Sequence, residues 1–136
     1  MKVNTKIRYG LRTIIELAQA DDTGVLQKDI AEHQQISNKY LDPIISGLKA
    51  KGLIRNVKGK KSGYLLTKSP DKISVNDVFT AFEPKVCILD CLYSAGVCDR
   101  ELVCSARDFW KDLNSLIDSK LKQTTIAEII LNEKKN

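Results

Sequence analysis

Apolar residues recur with a helical period along the first fifty positions. Ile7, Leu11, Ile14, Ile15 and Ala18 fall at i, i+4, i+7, i+8 and i+11, a single stripe that predicts a helix over residues 4–20. Asp21-Asp22-Thr23-Gly24 interrupts the stripe with turn-forming residues. A short second helix is expected over 26–34 around Ile30 and Ala31, followed by a tight connection at Gln34-Gln35-Ile36. Ser37 then offers a hydroxyl cap to a third helix over 38–51, where Leu41, Ile44, Ile45 and Leu48 keep the period until Gly52. Pro43 lies inside that helix and removes one backbone hydrogen bond, so a kink or a loosened first turn is expected.

The pattern changes after Gly52. Residues 53–57 (LIRNV) and 64–67 (YLLT) are short strand-like runs around a glycine-containing loop, which predicts a β-hairpin closed by Pro70. Ser74-Val75-Asn76-Asp77 reads as a capping box, opening a helix that turns Val75, Val78, Phe79 and Phe82 inward and ends at Pro84. Residues 87–104 show no period and read as a loop with one helical turn. A long helix is expected over 105–121, with Phe109, Trp110, Leu113, Leu116, Ile117 and Leu121 in a broad apolar stripe. The tail, with Ile126, Ile129 and Ile130, adds a last helical turn or two.

The expected fold is therefore mainly α with a small β-hairpin: a winged helix-turn-helix domain plus a long C-terminal dimerisation helix. The winged domain takes residues 1–83, a cysteine-bearing sensor loop 84–104, and the dimerisation helix and tail 105–136. A chain of 136 residues buries a real core without a disulfide framework. Because the winged unit already has its core, the second apolar helix needs another surface, and a two-fold homodimer supplies one.

Charge is unevenly distributed. Residues 1–70 hold 13 Lys/Arg against 6 Asp/Glu, a net of +7, whereas residues 71–136 hold 9 against 11, a net of −2. Residues 43–70 alone contain seven basic side chains and no acid. Such a surface is an electrostatic footprint for a polyanion. In a helix-turn-helix the second helix enters the major groove of double-stranded DNA with its N-terminal residues near base edges. Here those residues are Ser37, Asn38, Lys39 and Tyr40, although Asn38 and Lys39 taken singly read equally well as first-turn surface residues. Asn can read adenine and Lys can bond guanine or phosphate. Lys58, Lys60 and Lys61 at the hairpin tip suit a wing that neutralises phosphates or reaches into a minor groove. Tyr9 and Tyr40 fit either the core edge or the DNA, and His33 reads as a surface or hydrogen-bonded histidine.

No run approaches the roughly 18 apolar residues of a membrane span, and MKVNTKIRYG lacks the apolar run of a secretory signal. A cytoplasmic protein without membrane association is expected, where cysteines stay reduced or bind metal. All four cysteines, Cys87, Cys91, Cys98 and Cys104, fall in one short segment. Their spacing matches neither a paired zinc ribbon nor a thioredoxin motif. Clustered thiolates suit an iron–sulfur cluster, a closed structural zinc site or a metal-free dithiol switch. No nucleophilic triad, paired carboxylate motif or phosphate-binding glycine loop is present, so an enzyme is not expected.

Thr5-x3-Tyr9-Gly10, Leu17-Ala18, Ile30-Ala31, Ile36-Ser37-x2-Tyr40-Leu41, Leu48-x3-Gly52-Leu53-Ile54 and Gly63-Tyr64-Leu65-Leu66 together resemble the IscR/NsrR group of Rrf-type bacterial repressors. The resemblance covers about residues 1–121. It implies a homodimeric transcription regulator on a pseudo-palindromic operator, sensing redox state, nitric oxide or iron–sulfur status through a 2Fe–2S or 4Fe–4S cluster. It further implies that Cys91, Cys98 and Cys104 are cluster ligands and that Asp42 lies near an acid that influences base choice. The chain departs from the family at the fourth ligand. Arg107 stands where IscR-like members place a histidine, and Arg8 where NsrR-like members place an acid. The remaining candidates are Cys87, Asp90, Asp99, Asp108 or a group from a partner subunit, and Cys87 has the best chemistry. Zinc is the alternative metal.

Overall fold

The computed structural model describes residues 3–58, 63–84, 87–88 and 105–135. Its elements run α1 (Thr5–Ala18), α2 (Gln27–Gln34), α3 (Asn38–Ala50), β1 (Ile54–Asn56), β2 (Tyr64–Leu66), one 3-10 turn (Pro70–Lys72), α4 (Val75–Thr80), α5 (Arg107–Gln123) and α6 (Ile126–Lys135). Among the described residues this is the mainly helical architecture with a two-stranded hairpin that a winged helix has.

Local chemistry sets the helix boundaries. Asn4 caps α1 by accepting from the Ile7 N–H at 2.8 Å, and α1 buries Ile7, Gly10, Ile14 and Leu17. Thr13 is buried too, and its hydroxyl donates to the Tyr9 carbonyl at 2.8 Å, so no polar group is stranded. At the end of α2, Gln35 adopts a left-handed conformation (φ 55°), and the Ile36 N–H returns to the Ala31 carbonyl at 3.0 Å. That left-handed closure is the tight connection between α2 and α3. Ser37 caps α3 by accepting from the Tyr40 N–H. The helix runs as one element through Pro43, which is exposed, so water can serve the carbonyl that loses its partner. Ser74 and Asp77 complete both halves of the expected capping box at the start of α4. In two exposed turns, hydroxyl hydrogen bonds from Thr23 and Ser69 hold Asp21 and Asp71 below the ordinary carboxylate range.

β1 and β2 pair antiparallel with Ile54 opposite Leu66, Arg55 opposite Leu65 and Asn56 opposite Tyr64. A 2.8 Å bond from the Val57 N–H to the Gly63 carbonyl carries the ladder toward the tip. On its other side Tyr64 exchanges two backbone bonds with Val25, at 3.1 and 2.8 Å, which ties the hairpin to the loop before α2. A side chain at Gly63 would put its Cβ 3.1 Å from the Val25 backbone, so this close approach favours glycine.

Ile14, Ile30, Leu41, Ile44 and Leu48 form the centre of the core, joined by Leu53, Ile73, Val78 and Ile126. The tail exceeds the turn or two expected for it. It forms the ten-residue α6, and Ile126 is fully buried. Backbone bonds of 2.9 Å from Val75 N–H to Thr124 O and from Ile126 N–H to Ile73 O lock its entry against that of α4. By contrast, α5 has no buried residue. Ile117 and Leu121 pack against Ile7 and Phe79, while Leu116 (68% exposed) and Phe109 (54%) face outward with the less exposed Trp110.

Candidate nucleic-acid interface and cysteine segment

The first turn of α3 is presented to solvent. Ser37, Asn38 and Lys39 are exposed, and Tyr40 is 64% exposed. The fold thus separates the two tyrosines. Tyr9 packs against the core beneath the Arg12 guanidinium, 5.3 Å from its ring centroid, whereas Tyr40 stands on the surface. Asp42, one turn further along α3, is exposed and accepts a 2.6 Å hydrogen bond from Gln27 Nε2 at the start of α2. Sequence reasoning missed Gln27; nothing in its local pattern distinguishes it, because its partner lies 15 positions away.

A second polar group joins α1 to α2 behind this face. Glu16 accepts from Gln34 Nε2 at 2.8 Å and approaches His33 Nδ1 at 3.3 Å, and Arg12 bonds both the side chain and the carbonyl of Gln34. His33 is therefore the hydrogen-bonded surface histidine that the sequence suggested. These bonds link α2 to α1, and Gln27–Asp42 links α3 to α2, around helices packed through Ile14, Ile30 and Leu41.

On the hairpin, Lys58 is exposed just beyond the end of β1, and Lys49 Nζ lies 5.4 Å from the Tyr64 ring centroid. Lys60 and Lys61 fall outside the described residues. Beside α3, the first turns of α1, the residues Tyr40, Pro43 and Ile44, and the Phe82-Glu83 pair line a half-open cavity of about 420 Å³.

Of the cysteines, Cys87 is half-buried, and Cys91, Cys98 and Cys104 lie outside the described residues, as do Asp90 and Asp99. The Ile88 N–H donates to Asn114 Oδ1 at 3.0 Å, so the start of the segment is pinned to α5. Asp108 is exposed in the first turn of α5, and Arg107 opens that helix half-buried. Among the described residues no three His, Cys, Asp or Glu side chains stand close enough to hold a metal ion.

The family model described as Rrf2, iron-dependent transcriptional regulator, matches residues 3–132. The chain belongs to the Rrf2 family. The HTH-type transcriptional regulator IscR of Yersinia pseudotuberculosis is 34% identical to this Rrf2 chain over 134 residues, covering 98% of this chain and 81% of that protein. Among solved structures, CymR (YrzC), the global cysteine regulator of B. subtilis, superimposes with a TM-score of 0.77 at 28% identity, covering 95% of each chain. IscR of T. potens gives 0.77 at 28% identity over 98% of this chain and 88% of that one. The oxidized form of Staphylococcus aureus CymR gives 0.74 at 29% identity, again over 95% of each. This Rrf2 protein is accordingly a DNA-binding winged-helix transcription regulator and not an enzyme, as its sequence indicated. Among the described residues no helix is long and apolar enough to cross a membrane.

Proposed function

We propose that the protein is a cytoplasmic, homodimeric repressor whose cysteine segment sets its affinity for operator DNA. Ser37, Asn38, Lys39 and Tyr40 read the major groove from α3, and Lys58, Lys60 and Lys61 hold phosphates from the wing. The outward stripe of α5 pairs with its copy, so that two α3 helices face successive turns of the duplex. Residues 1–83 act as the reader, 84–104 as the sensor and 105–136 as dimer helix and tail, with α6 returning to brace the reader.

The observation that carries the sensor is positional. All four thiols lie between α4, which belongs to the reading unit, and α5, whose open apolar face suits a dimer. Cys91, Cys98 and Cys104 would ligate an iron–sulfur cluster, with Cys87 as the fourth donor in place of the histidine or acid that Arg107 and Arg8 replace. Such a donor set is chemically sufficient, since four thiolates bind either cluster type. When bound, the cluster supplies reversible redox and ligand-exchange chemistry at the segment. A second reading, a metal-free thiol switch, draws support from the likeness to a CymR whose oxidized form has been solved. Closed zinc ligation is the third use of the same donors.

Anaerobic purification with visible spectroscopy and iron, sulfide and zinc analysis decides between them. A brown protein with stoichiometric iron and sulfide, colourless as Cys98→Ala, is the expected result. A colourless wild type that forms a disulfide on oxidation establishes the thiol switch instead, and Cys98→Ala that keeps its iron removes Cys98 from the ligand set.

A further inference from the structure

Phe82 and Glu83 immediately precede Pro84 and the cysteine segment, and they contact two helices. The Phe82 ring lies between α1 and α3 where each presents only a glycine. A Cβ on Gly10 would meet Cε2 at 2.6 Å, and one on Gly47 would meet Cε1 at 2.5 Å. Glu83 accepts a 2.8 Å hydrogen bond from Asn4 Nδ2, across 79 positions of sequence. The same Asn4 uses its oxygen to cap α1. One amide therefore ties the start of α1 to the exit of α4.

The cavity of about 420 Å³ beside α3 is bordered by Phe82 itself. The ring thus has open space on one flank and two helices on the others. Packed interiors change by discrete repacking rather than by continuous stretching, and open space on one flank gives the ring somewhere to repack.

We propose that Glu83 and Phe82 are positioning residues for DNA reading: the Asn4–Glu83 hydrogen bond seats the Phe82 ring between Gly10 and Gly47 and so fixes how α3 sits on α1. Displacement of the chain beyond Pro84 breaks that bond, releases the ring toward the cavity and lets α3 shift. The positioning of α3 stands on the geometry above; its response to the cysteines rests on the sensor reading.

Asn4→Asp separates the two jobs of Asn4. The carboxylate keeps the capping oxygen but offers Glu83 no donor and sets a second negative charge against it, so the cap survives and the latch does not. Glu83→Leu removes the acceptor, and Glu83→Gln restores one. Full-length variants are assayed on a duplex selected by the wild type from a random pool, and on an unselected duplex of equal length. Asn4→Asp and Glu83→Leu are expected to lose about tenfold on the selected duplex only, while Glu83→Gln matches the wild type. In the same two variants, affinity should become insensitive to the oxidation or metal state of the cysteines. Unchanged discrimination in Asn4→Asp overturns the proposal, as do equal losses on both duplexes, which mark a merely structural role. A wild type indifferent to its cysteines refutes the sensor reading, and the two-duplex comparison still decides the positioning role.

Discussion

Gln27, at the start of α2, holds the carboxylate of Asp42 on α3 through a 2.6 Å hydrogen bond. The bond lies at the junction of the two helices of the reading motif, on the exposed side of α3. It orients an acceptor that can take the amino hydrogen of cytosine. Gln27→Ala frees that acceptor and should cost less than about 1 kcal/mol of stability, because the pair is solvent-exposed. The expected effect is relaxed base preference near one position of the site, with salt dependence unchanged. Selection of duplexes from a random pool by wild type and variant checks it, and identical preferences would separate Asp42 from base reading.

The wing lysines should behave in the opposite way. Replacing Lys58, Lys60 and Lys61 by Ala is expected to weaken binding to every duplex alike. For each phosphate that is no longer neutralised, the slope of log affinity against log salt should flatten by about 0.9. A salt titration on selected and unselected duplexes measures both effects. An unchanged slope would remove the hairpin from the interface.

Ile126 tests whether α6 belongs to the reader's core. Its side chain is fully buried, and its N–H is bonded to Ile73. Ile126→Ala should cost about 2–5 kcal/mol, the range for truncating a buried aliphatic side chain. Urea unfolding at fixed protein concentration reads this directly. A cost of only about 0.5 kcal/mol, typical of surface positions, would place α6 outside the core.

Gly47 and Phe82 should be coupled. Gly47→Ala alone overpacks against the ring and is expected to destabilise by about 1–2 kcal/mol, the strain exceeding the gain in helix propensity. In a Phe82→Ala background the strain vanishes, and the same change should stabilise by up to about 1 kcal/mol. A double-mutant cycle reports the reversal of sign; additive effects would mean that the two do not touch.

Much of this architecture was legible in the chain because its signals are local. The 3.6-residue period of Ile7, Ile14, Leu41 and Leu48, the hydroxyl caps at Ser37 and Ser74, and the two short runs before Pro70 all act within a few residues. Pro43 does not end the helix, since it falls on an exposed face where water can serve the carbonyl that loses its partner. The length of α6 was harder to read. Its apolar positions are confined to its first six residues, and Ile126 and Ile130 join a core cluster with Ile73 and Ile14, more than fifty residues away. The Gln27–Asp42 and Asn4–Glu83 bonds were invisible for the same reason, being made by ordinary polar side chains that only the fold brings together. The clustering of the four thiols was plain from the sequence, whereas three of them lie outside the described residues.

The most direct test measures the affinity of the full-length protein for a selected duplex across a salt series, once with its cysteine site intact and once oxidised or stripped of metal. Attraction that weakens steeply with salt in both states, and that differs between them by at least about fivefold, is the expected result. A protein showing no salt-sensitive attraction to double-stranded DNA in either state would contradict the account.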